Sequence, residues 1–207
     1  MELRIHRFLP YTEAEGPGKR ACLWVQGCSI QCKGCGVPWT WPVEGGTLTT
    51  VEFILNEIKK SKKKYEIEGV MFLWGEPFDQ AEALAELSSK AKENGLSIMT
   101  FTGYTIDDLR ETKKSGYDRL LESTDLLIDG PFMKENLDLG RPWIGSSNQR
   151  YHFLTDRYKE LANQLHLIPN RLEVRLEASG IVTINGMAAT ETLKELSQGL
   201  NRLKKET

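Results

Sequence analysis

Short apolar runs alternate with amphipathic stretches along most of the chain. Four runs, at residues 21–25, 69–74, 97–102 and 125–129, have the length and composition of buried strands. Gly75 directly follows the second run and Gly130 the fourth, so each is expected to end its strand. The hydrophobic pattern therefore predicts four interior strands in the first two thirds of the chain.

The stretches between these runs predict helices. A capping box at Thr49 and Glu52 begins the first helix, and Asn94-Gly95 ends the second. Thr105 caps a third, short helix that runs through Leu109. The buried faces of the two longer helices are marked at helical spacing by Val51, Ile54, Leu55, Ile58, Leu84, Leu87, Ser88 and Ala91.

The last third of the chain has a different pattern. A loop spans residues 132–147, and a short strand is expected at 151–154. Runs at 173–177 and 181–184 flank Ser179-Gly180 and predict a hairpin. A closing helix is marked by Leu193, Leu196, Leu200 and Leu203.

Strands that alternate with helices predict right-handed β-α-β units, a parallel sheet and thus an α/β fold. We expect one domain over residues 1–207, with a core at about 15–168 and a C-terminal extension at about 169–207. Because ligands bind at the carboxyl ends of parallel strands, the residues that follow the four runs are the candidate site.

Charge and composition exclude several classes of function. The chain has 207 residues, 27 Lys plus Arg and 29 Asp plus Glu, for a formal charge of −2. This balance argues against nucleic acid as a partner. No apolar run approaches the roughly 20 residues that span a bilayer, and the first residues lack the layout of a signal peptide. We therefore expect a cytoplasmic protein with no membrane partner.

All four cysteines lie between residues 22 and 35, which is unlike a disulfide framework and favours a metal or redox site. Cys28, Cys32 and Cys35 are spaced C-x3-C-x2-C, so one short loop can present three thiolates. That set suits a four-iron cluster with one iron open to another ligand, but zinc remains a rival. A thiol-redox pair at Cys32 and Cys35 is a third reading, and Cys22, within an apolar strand, is expected in the core.

The cysteine loop resembles that of radical S-adenosylmethionine (SAM) enzymes, and its surroundings resemble the small glycyl-radical activases. The closest similarity is to the anaerobic ribonucleoside-triphosphate reductase-activating type. The matching segments, in the family's order, are residues 15–20, 24–28, 72–80, 102–105, 127–132 and 145–150. Two departures stand out: Trp74 occupies the first glycine of the usual Gly-Gly-Glu-Pro stretch, and Val37 stands before Pro38 where relatives usually have an asparagine.

The resemblance implies a partial (β/α) barrel of about six units, a [4Fe–4S] cluster on Cys28, Cys32 and Cys35, and bound SAM. It implies that Glu76 and the backbone around Gly75 bind the methionine amino group and that Pro77 fixes the turn. The remaining residues implied to line the SAM site are Trp74, Thr102, Gly103, Asp129, Asn148 and Arg150.

The implied activity is reductive cleavage of SAM to a 5′-deoxyadenosyl radical, which installs a glycyl radical on a large partner enzyme such as anaerobic ribonucleotide reductase. A flavodoxin or ferredoxin is the implied electron donor. Two alternatives stay open: a stand-alone radical SAM enzyme that modifies a small molecule or peptide, and a structural zinc module without catalysis.

Overall fold

A computed structural model describes residues 1–176, 179–188 and 190–203, with the side chains of 190, 197 and 199–203 outside that description. The described chain has nine strands and five α-helices. The strands are β1 (Glu2–Thr12), β2 (Arg20–Val25), β3 (Thr47–Thr50), β4 (Gly69–Leu73), β5 (Ser97–Phe101), β6 (Leu126–Asp129), β7 (Arg150–Phe153), β8 (Leu172–Leu176) and β9 (Val182–Gly186). The helices are α1 (Val51–Tyr65), α2 (Ala81–Glu93), α3 (Ile106–Glu111), α4 (Tyr117–Ser123) and α5 (Thr190–Leu203).

Seven strands form one mixed sheet in the order β3-β1-β2-β4-β5-β6-β7. The four strands predicted from the apolar runs, β2, β4, β5 and β6, are adjacent and parallel, which confirms an α/β fold with a mostly parallel centre. β1, β3 and β7 pair antiparallel at the two sides. The described sheet therefore has three β-α-β connections between parallel strands rather than about six β/α units.

The two faces of the sheet carry separate cores, because successive side chains of a strand point to opposite faces. Ala21, Leu23 and Val25 of β2 pack with the apolar sides of α1 and α2. Cys22 and Trp24 point to the other face, against residues of the 3₁₀ turns between 156 and 167. Cys22 is fully buried, so its assignment to the core is confirmed.

The helix predictions hold with one correction. Val51, Ile54, Leu55 and Ile58 are buried, and Asn94 caps the end of α2. The capping residue of α1 is Thr50, whose side chain accepts a hydrogen bond from the Phe53 amide at 3.1 Å. Thr49 is not available for that role because it pairs with Leu3 in the β1–β3 ladder.

The C-terminal extension forms the predicted hairpin, β8 and β9, and then α5; residues 177 and 178 of the turn lie outside the described residues. The hairpin is tied to the end of β1 and to the loop that follows it. Gly186 donates its amide to Glu15 at 2.8 Å, and Thr12 donates its hydroxyl to Glu173 at 2.5 Å. Among the described residues, no helix is long and apolar enough to cross a membrane.

Candidate functional site

The parallel strands β2, β4, β5 and β6 end at one edge of the sheet, which we call the C-terminal rim. The segments that follow them are the cysteine loop, the turn at residues 74–77, residues 102–105 and residues 129–131. The structure thus brings together four segments that are far apart in sequence.

The cysteine loop begins directly after β2 and is fixed by backbone hydrogen bonds. The Cys28 amide donates to the Trp41 carbonyl at 3.1 Å, and the Cys35 amide donates to the Cys32 carbonyl at 3.0 Å. Two further amides point at sulfur: Gln31 N lies 3.5 Å from Cys28 Sγ, and Val37 N lies 3.5 Å from Cys35 Sγ. All three thiols are free, and Cys28 is buried.

The donor set fits a cluster that takes three thiolates. Burial raises the pKa of the Cys28 and Cys32 thiols, whereas backbone amides that donate to them act in the opposite direction. A bound cationic centre would deprotonate such thiols, and amide-to-sulfur bonds then stabilise the thiolate charge. The fit therefore rests on the type of donor and on the shared loop, because in the part of the chain that the structure describes no group of three acidic, histidine or cysteine side chains is arranged to hold a metal ion.

The turn after β4 lies against the cysteine loop. The Glu76 amide donates to the Gly27 carbonyl at 2.8 Å, and the Gly75 amide donates to the Thr40 hydroxyl at 3.2 Å. A Cβ on Gly75 would lie 2.6 Å from the Gly27 carbonyl oxygen, and the residue has φ +57°. Only glycine fits both restrictions, so position 75 holds the two segments in close contact.

Trp74 has a backbone conformation that favours glycine. Its φ is 55°, in the left-handed region that a bulky side chain rarely adopts. Its indole stacks on that of Trp24, with ring centroids 4.4 Å apart and an interplanar angle of 24°. The Trp74 ring thus packs against the core on the sheet face that carries Cys22 and Trp24.

Glu76 is buried and fully engaged in hydrogen bonds. Its Oε1 accepts from the Phe78 amide at 2.9 Å and from the Thr102 hydroxyl at 2.8 Å, and its Oε2 accepts from the Gly103 amide at 2.8 Å. Burial raises its pKa to about 7, although these three donors act to lower it. Pro77 begins the 3₁₀ turn Pro77–Gln80 that Glu76 caps. Glu76, Thr102 and Gly103 thus join the ends of β4 and β5.

Asp129 and Arg150 form an ion pair at the end of β6. They are register partners in the β6–β7 ladder, and Arg150 Nη2 lies 2.7 Å from Asp129 Oδ2. The buried carboxylate also accepts from the Ile106 amide at 2.7 Å, and His152 Nε2 lies 3.0 Å away. Burial raises the Asp129 pKa, but Arg150, this amide and His152 outweigh it, so the pKa is lowered.

Asn148 supports the turn after Asp129. Its Nδ2 donates to the Pro131 carbonyl at 2.8 Å, while its Oδ1 is buried without a hydrogen-bond partner in the structure. Asn148, Asp129 and Arg150 therefore stand together beside the rim, and each makes contacts that hold loops in place.

Sequence reasoning gave no role to several residues that build the rim. Thr40 accepts from the Gly75 amide, and Gln80 Nε2 donates to the carbonyl groups of Arg4 at 2.8 Å and Gln26 at 3.0 Å. Gln80 stands in a segment that carries the family resemblance, which was a usable signal. The sequence carried no comparable signal for Thr40, because its hydrogen-bond partner Gly75 is 35 residues away along the chain.

Comparison with known proteins is consistent with this geometry. A family model described as a 4Fe-4S single cluster domain matches residues 14–152. The anaerobic ribonucleoside-triphosphate reductase-activating protein of Vibrio cholerae serotype O1 is 33% identical over 160 residues, 74% of this chain and 99% of that protein. Its counterpart in Escherichia coli K12 is 29% identical over 73% of this chain and 99% of that protein. The pyruvate formate-lyase-activating enzyme of Clostridium pasteurianum is 31% identical over 60% of this chain and 50% of that protein.

Proposed function

The chain belongs to the 4Fe-4S single-cluster family of the anaerobic ribonucleoside-triphosphate reductase-activating proteins, and we propose that it activates a large glycyl-radical enzyme by radical SAM chemistry. The observation that carries the proposal is the contact between the three-cysteine loop and the turn at Gly75-Glu76. This contact puts three thiol-bearing positions next to the segment that resembles the SAM-binding stretch of the family.

Cys28, Cys32 and Cys35 are proposed as the ligands of the [4Fe–4S] cluster. Held by these thiolates, a cluster would supply the one electron that reductive cleavage of SAM to methionine and a 5′-deoxyadenosyl radical requires, and that radical would take its hydrogen atom from a glycine of the partner. The protein's own part is to orient these groups and to exclude water. The amides of Gln31 and Val37, each 3.5 Å from a cysteine sulfur, support this role because such bonds stabilise thiolate charge.

The SAM site is proposed to lie along the rim. We assign contacts with the methionine amino group to the backbone of Trp74 and Gly75. Glu76 holds that backbone in place, since its oxygens already accept from three donors. Thr102 and Gly103 are proposed to form the edge beside the nucleoside. Asp129, Asn148 and Arg150 are proposed to support the far end of the same site.

Three finer points belong to the same proposal. The electron donor is a flavodoxin or ferredoxin, the location is the cytoplasm, and the sheet is a reduced form of the family's partial barrel.

The alternative of a stand-alone radical enzyme is favoured by one observation. The V. cholerae relative aligns over almost its whole length yet leaves about a quarter of this chain unmatched. Those additional residues give room for a function that the shorter relative lacks.

The test is anaerobic reconstitution with iron and sulfide, followed by dithionite and SAM, with 5′-deoxyadenosine quantified. We expect product that depends on all three loop cysteines, and a glycyl-radical EPR signal when a partner enzyme is added. Product without that signal, but with a modified small molecule or peptide, would support the alternative. A chain that binds zinc and no iron would contradict both.

A further inference from the structure

Ser29, the residue that follows Cys28, is held by two segments from other parts of the rim. Its amide donates to Asp79 Oδ2 at 2.7 Å, and its hydroxyl donates to Asp79 Oδ1 at 2.8 Å. The Tyr104 hydroxyl lies 2.8 Å from the same serine oxygen. Asp79 follows β4 by six residues and Tyr104 follows β5 by three, so the three side chains connect three strand ends.

The next residue of the loop is also packed against the rim. A Cβ on Gly103 would lie 3.0 Å from Ile30 Cγ1 and Cγ2, so Ile30 rests directly on the Gly103 backbone. Gly103 is in turn bonded to Glu76, which is buried. Residues 29 and 30 therefore have a rigid support on the side of β4 and β5.

Asp79 uses both carboxylate oxygens on one residue, and this arrangement has a geometric consequence. A backbone amide and a side-chain hydroxyl held by one carboxylate fix the peptide plane between Cys28 and Ser29 as well as the position of Ser29. That plane sets the direction in which the Cys28 side chain leaves the backbone. Charge-assisted bonds of this kind are also stronger than neutral ones.

We infer that Asp79 is a positioning residue for the cluster: with Ser29 and Tyr104 it forms a clamp that orients the Cys28 thiolate. This inference rests on the proposed function, because it assumes that Cys28 is a cluster ligand. Asp79 touches neither sulfur nor SAM in this assignment and acts through Ser29. Partners that orient a metal ligand in this way commonly change metal affinity by about 10- to 100-fold when removed.

The first experiment measures iron release. Wild type, Asp79→Ala, Ser29→Ala and the double variant are reconstituted anaerobically and challenged with an iron chelator. We expect release about 10-fold faster from Asp79→Ala. The increase in the double variant should be smaller than the product of the two single increases, because both single variants remove the bond between the Ser29 hydroxyl and Asp79. Asp156→Ala is the matched control, since Asp156 is 95% exposed and pairs only with Lys159 among the salt bridges of the described chain.

A second readout needs no cluster. In the metal-free full-length chain, the rate of Cys28 alkylation by iodoacetamide is compared with that of Cys35 in the same molecule. We expect Asp79→Ala to raise this ratio several-fold and Tyr104→Phe to raise it less, because Tyr104→Phe leaves both bonds to Asp79 intact. The urea midpoint of each variant, with Asp79→Asn as a milder change, separates loss of the clamp from loss of the fold.

The two readouts distinguish the possible failures. Equal iron release and equal alkylation in wild type and Asp79→Ala would overturn the clamp while leaving the proposed function intact. A wild-type chain that binds no iron would overturn the proposed function. In that case an unchanged alkylation ratio would overturn the clamp as well, and a raised ratio would retain the clamp as a feature of the loop alone.

Discussion

Trp74 stacks on Trp24 at a centroid distance of 4.4 Å while its own backbone has a φ of 55°. A non-glycine residue in this region carries a strain of about 1–3 kcal/mol, and aromatic pairs contribute about 0.5–1.5 kcal/mol beyond their burial. Arg7 adds a cation above the Trp24 ring at 4.4 Å. The stack thus offsets the strain, which explains how a tryptophan occupies a position that favours glycine.

Replacing Trp74 with glycine and with alanine should separate the two effects. Both variants lose the stack, so both should be less stable than wild type, by about 2 kcal/mol for a half-buried aromatic residue. Glycine also removes the strain that alanine keeps, so Trp74→Gly should be more stable than Trp74→Ala by about 1 kcal/mol. Urea unfolding of the metal-free chain measures the difference. An alanine variant as stable as the glycine variant would mean that the turn relaxes when the ring is removed.

The cysteines are expected to fall into two groups. Cys28→Ala, Cys32→Ala and Cys35→Ala should each abolish cluster assembly, because each removes one of three proposed ligands. Cys22→Ala should retain full iron and sulfide content, since Cys22 lies in β2 against Leu9 and Met71. Iron and sulfide analysis with the visible spectrum checks both groups. A fully loaded cluster in any of the first three variants would refute that ligand.

The raised pKa of Glu76 should make the stability of the fold depend on pH. Its pKa in the folded chain is raised from 4.5 to about 7, so between these values the folded state binds a proton that the unfolded state has released. Stability should therefore fall as pH rises from about 4.5 to about 7, by a few kcal/mol at most, and then level off.

The reference for this measurement is Glu76→Gln, which cannot titrate. The free energy of unfolding of wild type minus that of the variant should decrease from pH 5 to pH 7. Chemical denaturation of the metal-free chain at several pH values provides the two free energies. A difference that stays flat from pH 5 to pH 7 and decreases only as pH falls below about 4.5 would show that the Phe78, Thr102 and Gly103 donors outweigh burial and that the carboxyl group has a lowered pKa.

Asp129 should make stability depend on pH in the opposite sense to Glu76, because the pKa of Asp129 is lowered. Its stabilisation is present above about pH 4 and is lost as pH falls through its folded pKa. At pH 7, Asp129→Asn should cost about 2 kcal/mol, below the value for a fully buried pair because Arg150 is 47% exposed. Asp156→Asn, at a surface pair, should cost almost nothing by the same urea titration. If Asp129→Asn and Asp156→Asn lowered the free energy of unfolding by the same small amount, the contacts of Asp129 with Arg150 and His152 would contribute little to stability.

Local patterns predicted the central strands and their helices because a buried strand or an amphipathic helix is visible within about ten residues. They did not predict β1 and β3. In β1, Leu3, Ile5 and Leu9 are buried, but charged residues and Pro10 interrupt the pattern. β3 has four residues and little apolar content, and it exists because it pairs with β1. Strand pairing of this kind depends on partners that a single stretch of sequence does not contain.

The sequence by itself determined the α/β class, the four strand ends that carry the family resemblance, and the three-cysteine loop, because spacing and local order are properties of the chain. Only the tertiary structure decided what each side chain does at the rim. It paired Asp129 with Arg150, closed Glu76 onto Thr102 and Gly103, and set Asp79 against Ser29. The physical reason is that hydrogen bonds act over about 3 Å, and these partners lie 21 to 50 residues apart.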